Sequence, residues 1–159
     1  MLVSNTGPLL ALGTLGLISA LRDLYGSVKV TETVYAEITR SSEKPISDLF
    51  TEHSWIEIAP DPQMPDTWLS AVLDLGEATT IALSLKENPD RLLIDERKGR
   101  RTAESIYNLR IIGTAGILIL TKFNRLIPAV RPHLLQLQAK GYYLHPNLIE
   151  RICLAAGEE

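Results

Sequence analysis

The chain has 159 residues, of which 45% are hydrophobic and 22% charged, a balance that is typical of globular proteins and argues against disorder. A chain of this length can bury one sizeable core, so we expect a single domain over residues 1–159. The net charge is −3, whereas most nucleic-acid-binding proteins carry an excess of basic residues. A negative total does not exclude a local basic cluster beside a catalytic centre. A single cysteine, Cys153, excludes an intramolecular disulfide and a thiolate metal site, and we expect a reducing cytoplasm as the compartment.

Short apolar runs alternate with helical patterns along the chain, as in strand–helix–strand units that build a mostly parallel sheet. The apolar opening lacks the basic segment of a signal peptide and is interrupted by Gly7, Pro8 and Gly13, so it predicts a strand followed by two short helices. No other stretch approaches the roughly 20 apolar residues of a membrane span, and no membrane association is expected. Strands are predicted near residues 2–4, 28–30, 55–58, 91–94 and 110–112.

The clearest helix begins after Gly76, where Ile81 and Leu85 belong to an apolar series at helical spacing, and it ends at the Asn-Pro pair 88–89. Residues 41–65 are rich in proline, serine and charge around one strand, which predicts a surface excursion. Further helices are predicted over about 31–40, 98–107, 114–124, 128–140 and 146–156.

Polar residues follow three of the predicted strands at the point where a helix begins. These are Asn5 with Thr6, Asp95 with Glu96, and Thr114. In open parallel sheets, ligands bind in the crevice outside the carboxyl ends of the strands. We therefore expect these residues to lie side by side.

Two carboxylates stand out beside this crevice. Asp95 directly follows a buried apolar run, which predicts a carboxylate at the rim of the sheet, where metal ions and nucleophilic water are held. Its alternative role is to cap the helix that starts near Lys98. Glu77 lies in the first turn of the clearest helix, where the helix dipole alone also favours a carboxylate.

Two more oxygen-bearing side chains complete the candidate set. Glu37 lies on the helix after the second strand, where a solvated glutamate is the alternative, and Asn5 offers an amide oxygen but could simply cap a helix or turn. Carboxylates that converge repel one another unless a cation neutralises them, and hard oxygen ligands favour Mg²⁺ or Mn²⁺ over zinc. Such an ion can polarise a phosphoryl oxygen and supply hydroxide near neutral pH, which phosphodiester hydrolysis requires.

Competing chemistries lack a motif in this sequence. The three histidines, His53, His133 and His145, have no spacing that indicates a zinc site or a catalytic triad. Neither a phosphate-binding P-loop nor a GxGxxG fingerprint occurs, so nucleotide cofactors have no support.

Four sequence blocks together resemble the motif series of a PIN-like family, the prokaryotic branch described as predicted nucleic-acid-binding proteins that contain a PIN domain. The resemblance runs from about residue 2 to residue 158. It implies a three-layer α/β fold with a mostly parallel central sheet flanked by helices. The blocks are Val-Ser-Asn-Thr-Gly-Pro-Leu at 3–9, Leu-Gly-Glu-Ala at 75–78, Leu-Ile-Asp-Glu-Arg at 93–97 with Gly-Arg-Arg at 99–101, and Ile-Gly-Thr at 112–114.

The resemblance implies a Mg²⁺- or Mn²⁺-dependent ribonuclease similar to the toxin of prokaryotic toxin–antitoxin pairs, with RNA as substrate and a small antitoxin protein as partner. By motif position, the catalytic and metal-binding residues are Asn5, Glu37, Glu77 and Asp95. Thr6 and Thr114 are polar neighbours of the metal site. Arg97, Arg100 and Arg101 are expected to contact substrate phosphate, with a solvated helix face as the alternative for each.

There are two alternatives to an active ribonuclease, the first from a departure from the family pattern and the second from the residues alone. The family usually carries aspartate where this chain has Asn5, and one anionic ligand fewer weakens the attraction for a divalent cation. The alternative function is therefore a catalytically weak or inactive PIN-like module that binds RNA or a partner protein. The other alternative is a generic α/β domain whose acidic residues only cap helices. It predicts that Glu77 and Asp95 lie far apart.

The C-terminal part of the sequence contains three apolar runs, at 127–130, 134–135 and 152–155. These runs favour a homodimer.

Overall fold

The fold is built around a five-stranded sheet. In the computed structural model of the protein, the described residues are 1–41 and 48–159, so residues 42–47 of the predicted surface excursion lie outside the described residues. The strands are β1 (Leu2–Ser4), β2 (Val28–Thr31), β3 (Ile56–Ala59), β4 (Arg91–Leu93) and β5 (Ile111–Ile112). All neighbouring strands are parallel, in the order β3-β2-β1-β4-β5, which confirms the predicted mostly parallel sheet.

Ten helices are present in the described part of the chain. Two of them, Leu49–Glu52 and Thr67–Val72, were not predicted, because they have only four and six residues and so too few turns to show a helical period. The helices are α1 (Thr6–Thr14), α2 (Ser19–Tyr25), α3 (Glu32–Arg40), α4 (Leu49–Glu52), α5 (Thr67–Val72), α6 (Leu75–Glu87), α7 (Arg97–Ser105), α8 (Thr114–Phe123), α9 (Arg131–Ala139) and α10 (Pro146–Ala155).

The sheet separates two apolar cores, because successive side chains of a strand point to opposite faces. Leu2 and Leu93 point into the larger core, which includes side chains of α1, α3, α8, α9 and α10. Val3, Leu92 and Ile94 point into the smaller core with side chains of α5, α6 and α7. The arrangement of helices on both faces confirms the three-layer α/β fold.

The strand order changes direction at β1. The chain runs from β1 through β2 to β3 on one side and then returns to place β4 on the other side of β1. The amide of Asn5 donates to the carbonyl of Leu93 at 2.9 Å, so the carboxyl ends of β1 and β4 are level. A ligand crevice is expected at such a point, where the connections on either side diverge.

The C-terminal apolar runs lie largely inside the larger core. Ile127, Val130 and Ile152 are buried, whereas Leu135 and Leu154 are exposed. Most of the apolar surface that favoured a homodimer is therefore covered within one chain, and dimerisation stays a prediction that depends on the two exposed leucines.

No single helix in the described ranges is long and apolar enough to span a membrane. Helices α1 and α2 reach the necessary length and composition only as a pair, and they are bent by 117° relative to each other.

Candidate functional site

Asp95 lies at the rim of the sheet, two residues after the end of β4, with an exposed side chain. Its Oδ1 accepts a hydrogen bond from the amide of Thr114 at 2.7 Å, and its Oδ2 accepts one from the hydroxyl of the same threonine at 2.5 Å. Helix α7 begins at Arg97, and the side chain of its N-cap residue, Glu96, makes no capping hydrogen bond. The hydrogen bonds of Asp95 therefore go to the start of α8, and they hold its carboxylate in one orientation at the carboxyl end of the sheet.

Asn5 follows β1 and is only 7% exposed. It occupies the N-cap position of α1, but its side chain makes no capping hydrogen bond. Its Oδ1 is buried and has no hydrogen-bond partner within the described residues. A buried acceptor without a partner costs roughly 1 to 3 kcal/mol, so this oxygen is suited to a ligand that the protein itself does not supply.

Glu37 reaches the crevice from α3. The hydroxyl of Thr6 donates a hydrogen bond to its Oε2. On its other side is Gly76, where an added methyl group would lie 2.5 Å from Oε1 of Glu37. The carboxylate of Glu37 therefore lies between the first turns of α1 and α6, beside the sequence neighbours of Asn5 and Glu77.

Glu77 is a buried carboxylate, 5% exposed, in the first turn of α6. Its pKa is raised above the usual value, first by burial and then by the negative charges of Asp74 and Glu96. Asp74 is the N-cap of α6 and accepts the amide hydrogen of Glu77 at 2.8 Å. Sequence reasoning overlooked Asp74, although the spacing Asp-x-x-Glu is that of a capping box and could have indicated it.

Three glycines each lie against one carboxylate of the candidate set. A methyl group on Gly76 would meet Glu37, and one on Gly99 would lie 2.6 Å from Oε1 of Glu77. A methyl group on Gly113 would lie 2.9 Å from Oδ1 of Asp95. Each glycine thus leaves the space that a carboxylate fills, which gives a structural reason for these glycines within the motif blocks.

The arginines of α7 occupy different environments. Arg97 and Arg101 are exposed. Arg100 is partly buried, and its Nη1 donates to the carbonyl of Ile94 at 2.9 Å. One arginine is therefore attached to the end of β4 beside Asp95, and the other two face solvent, where their binding of phosphate stays a prediction.

The acidic side chains do not form a ready-made metal cluster. Across residues 1–41 and 48–159, no three His, Cys, Asp or Glu side chains come close enough together to hold a metal ion. Mg²⁺ usually keeps several water ligands and is held by only one or two carboxylates. The buried, partnerless oxygen of Asn5 fits a hydrated divalent cation of this kind.

The comparisons with known proteins give one match. A family model described as a PIN domain covers residues 1–158, whereas no curated protein and no solved structure matches the chain. A PIN domain suggests a nuclease fold and nucleic-acid binding, and PIN domains are generally dependent on divalent metal ions. The motif blocks, the parallel sheet and the family match agree, and the chain belongs to the PIN-domain family.

Proposed function

We propose that this protein is a metal-dependent ribonuclease that hydrolyses RNA phosphodiester bonds at the carboxyl ends of β1 and β4. The observation that carries the proposal is the buried Oδ1 of Asn5, which has no partner in the described residues and lies where the strand order of a PIN domain changes direction. A hydrated cation would satisfy this oxygen and also reduce the repulsion around Glu77.

The side chains of the site would have different roles. Asn5, Glu37, Glu77 and Asp95 would hold Mg²⁺ or Mn²⁺, directly or through water. Such an ion, when bound, polarises a phosphoryl oxygen and lowers the pKa of a bound water. Thr114 holds Asp95 through two hydrogen bonds.

Thr6 likewise holds Glu37 through its hydroxyl. Both threonines therefore act by restricting the orientation of a carboxylate, which reduces the entropy lost when an ion binds. Arg97 and Arg101 would attract the RNA backbone, since exposed guanidinium groups bind phosphate and release counterions.

We further propose that the ribonuclease acts as the toxin of a toxin–antitoxin pair in a prokaryotic cytoplasm, held inactive by a small antitoxin protein. The support is the resemblance of the four motif blocks to that family. Overexpression of the native chain without a partner should then arrest growth, and the Asp95→Asn chain should not arrest it. Arrest that is equally strong with both chains would contradict this part of the proposal.

The decisive experiment compares Asp95→Asn with a matched control, Asp61→Asn. Asp61 accepts hydrogen bonds from the amide and the hydroxyl of Thr33 at 3.0 and 2.5 Å, the same pattern that Asp95 makes with Thr114. It follows β3, which is three strand positions from β4, or roughly 14 Å away at about 4.8 Å per strand. The two substitutions therefore remove the same kind of bond, one inside the candidate site and one outside it.

Mn²⁺ binding by calorimetry and RNA cleavage are measured on the native protein and both variants. We expect the native protein and Asp61→Asn to bind Mn²⁺ and cleave RNA, and Asp95→Asn to do neither. Cleavage that survives in Asp95→Asn would overturn the proposal. RNA binding by a native protein that takes up no Mn²⁺ would instead support the non-catalytic module, which the asparagine at position 5 favours.

A further inference from the structure

A cavity of about 400 Å³ opens directly beside the candidate metal site. Asp95, Glu96 and Thr114 form its side toward the sheet, and the cavity extends from there between α1, α9 and α10. A phosphodiester held at Asp95 would therefore have one of its nucleosides at the entrance of this cavity, which we call the side cavity.

Most of the wall of the side cavity is apolar, and the charged groups at its side toward the sheet are negative. Leu134, Leu137 and Ile152 line it from α9 and α10, and its charged lining residues among those described are the two carboxylates, Asp95 and Glu96. Such a surface disfavours phosphate, because its carboxylates repel an anion. It suits a flat, uncharged group with hydrogen-bond donors on its edge, which is the chemistry of a nucleobase that carries an exocyclic amino group.

Two side chains of the side cavity are available for such a base. Tyr143 is 87% exposed in the connection between α9 and α10, an unusual position for an aromatic ring that serves only packing. Glu96 is exposed and makes no capping hydrogen bond with α7. Exposed aromatic rings are the usual stacking platforms for single-stranded nucleic acids, and a glutamate accepts hydrogen bonds from the amino group of a base.

We propose that the side cavity binds one unstacked base of single-stranded RNA, which stacks on Tyr143 and donates its amino group to Glu96. The inference rests on the proposed function, because it names the RNA feature that this site would recognise. Adenine, cytosine and guanine carry the required amino group. Uracil does not, and its one donor on that edge, N3–H, lies between two carbonyl oxygens that would repel the carboxylate of Glu96.

The test uses equilibrium binding of labelled single-stranded RNA with Mn²⁺ present, on oligomers whose phosphorothioate linkages resist cleavage. The probes are short oligomers of adenylate, cytidylate and uridylate, and the protein is the full chain. We expect the first two to bind more tightly than the third. Tyr143→Ala should weaken adenylate binding by about tenfold or more, since the stacking of one base is lost, whereas Tyr143→Phe keeps the ring and should bind as the native protein does.

Matched controls separate the side cavity from the general surface. Phe123→Ala removes another exposed aromatic ring, at the end of α8 and outside the cavity lining, and should leave RNA binding unchanged. Glu96→Gln should reduce the preference for adenylate over uridylate, because the amide also offers a donor to uracil. Glu104→Gln removes the same charge from an exposed position of α7 and should retain the preference.

The outcomes distinguish this inference from the proposed ribonuclease. Base-dependent binding that requires Tyr143, in a protein that does not cleave RNA with Mn²⁺, would support the side cavity and contradict the ribonuclease. Mn²⁺-dependent cleavage together with unchanged RNA binding in Tyr143→Ala and unchanged preference in Glu96→Gln would overturn the side cavity alone. Loss of binding to a partner protein in Tyr143→Ala, with RNA binding intact, would also overturn it and assign the cavity to a protein segment.

Discussion

The carboxylate of Glu37 lies directly against the α-carbon of Gly76. A methyl group added to Gly76 would come within 2.5 Å of Oε1 and 2.8 Å of Oε2 of Glu37. Because these atoms are the far end of a flexible side chain, the crowding would be relieved by moving the carboxylate rather than the backbone. A single added carbon would therefore displace a candidate ligand without disrupting the fold.

Gly76→Ala should weaken Mn²⁺ binding while leaving the free energy of unfolding almost unchanged. The free energy of unfolding is expected to change by less than about 1 kcal/mol, because alanine favours the helix, whereas the affinity for Mn²⁺ should fall about 10- to 100-fold. Calorimetry and chemical denaturation measure the two quantities. The control is Gly7→Ala, since Gly7 is also the second residue of its helix and an added methyl group there meets no atom within 4 Å. Unchanged Mn²⁺ affinity in Gly76→Ala would show that the position of Glu37 is irrelevant to the metal.

Glu77→Gln should stabilise the metal-free protein at neutral pH. Burial and the charges of Asp74 and Glu96 raise the pKa of Glu77 above the usual 4.5, so the native state binds more protons than the unfolded chain between the two pKa values. The free energy of unfolding therefore falls as pH rises through the window above 4.5, and Gln removes this loss. Thermal unfolding in EDTA from pH 4 to 8 measures it.

Bound Mn²⁺ should make the native protein more stable than Glu77→Gln, the reverse of the order expected without metal. Mn²⁺ at about 100 times its dissociation constant should stabilise the native protein by about 2.7 kcal/mol, and it should stabilise Glu77→Gln much less. Glu32→Gln, which changes an exposed glutamate in the first turn of α3, should respond to Mn²⁺ as the native protein does. A Glu77→Gln protein that is less stable than the native one in EDTA would mean that the favourable interaction of the Glu77 charge with the dipole of α6 outweighs the cost of its burial.

Asn5→Asp should strengthen metal binding at the expense of metal-free stability. The new carboxylate would be almost fully buried, and with no cation it should lower the free energy of unfolding by more than about 1 kcal/mol. The added charge should raise the Mn²⁺ affinity by about tenfold or more. Denaturation in EDTA and calorimetry test both effects, with Asn147→Asp at an exposed helix start as the neutral control. Equal Mn²⁺ affinity in Asn5→Asp and the native protein would exclude position 5 as a ligand.

The carboxylate of Glu158 should stabilise the protein at neutral pH but not in acid. Burial alone would raise its pKa, but hydrogen bonds from the amides of Val130 and Arg131 and the nearby charge of Lys122 hold the pKa below the usual 4.5. Its contribution is therefore present above pH 4.5 and is lost as pH falls through the lowered value. Glu158→Gln should cost about 1 to 3 kcal/mol at pH 7.

Thermal unfolding at pH 7 and pH 3 tests this role of the Glu158 carboxylate. The difference between the native protein and Glu158→Gln should shrink in acid, because below pH 4.5 the unfolded chain takes up a proton that the native carboxylate resists, and this reduces the stability that the charge contributes. Glu159→Gln changes the next, exposed residue and should behave as the native protein at both pH values. A difference between the native protein and Glu158→Gln that persists undiminished at pH 3 would contradict an ionic role.

The strands and long helices were predictable because their signals are local. The apolar runs around Leu2, Val28 and Leu92 are short and bounded by turn residues, and α6 shows its period over 13 residues. Of the site, the general rule for parallel sheets placed the residues that follow β1 and β4 at the same edge of the sheet. The glycine contacts could not be predicted, because a glycine in a sequence does not tell which distant side chain fills the space above it.

The type of each main element, and the oxygen ligands available at Asn5, Glu37, Glu77 and Asp95, can thus be read from the amino-acid order alone. The folded chain was needed to show that β1 lies between β2 and β4, that Glu37 touches Thr6 and Gly76, and that Tyr143 lines a cavity beside Asp95. This division arises because periodicity, capping and turn preference act over a few residues. Strand order and side-chain neighbours, in contrast, come from burying apolar faces that are far apart in the chain.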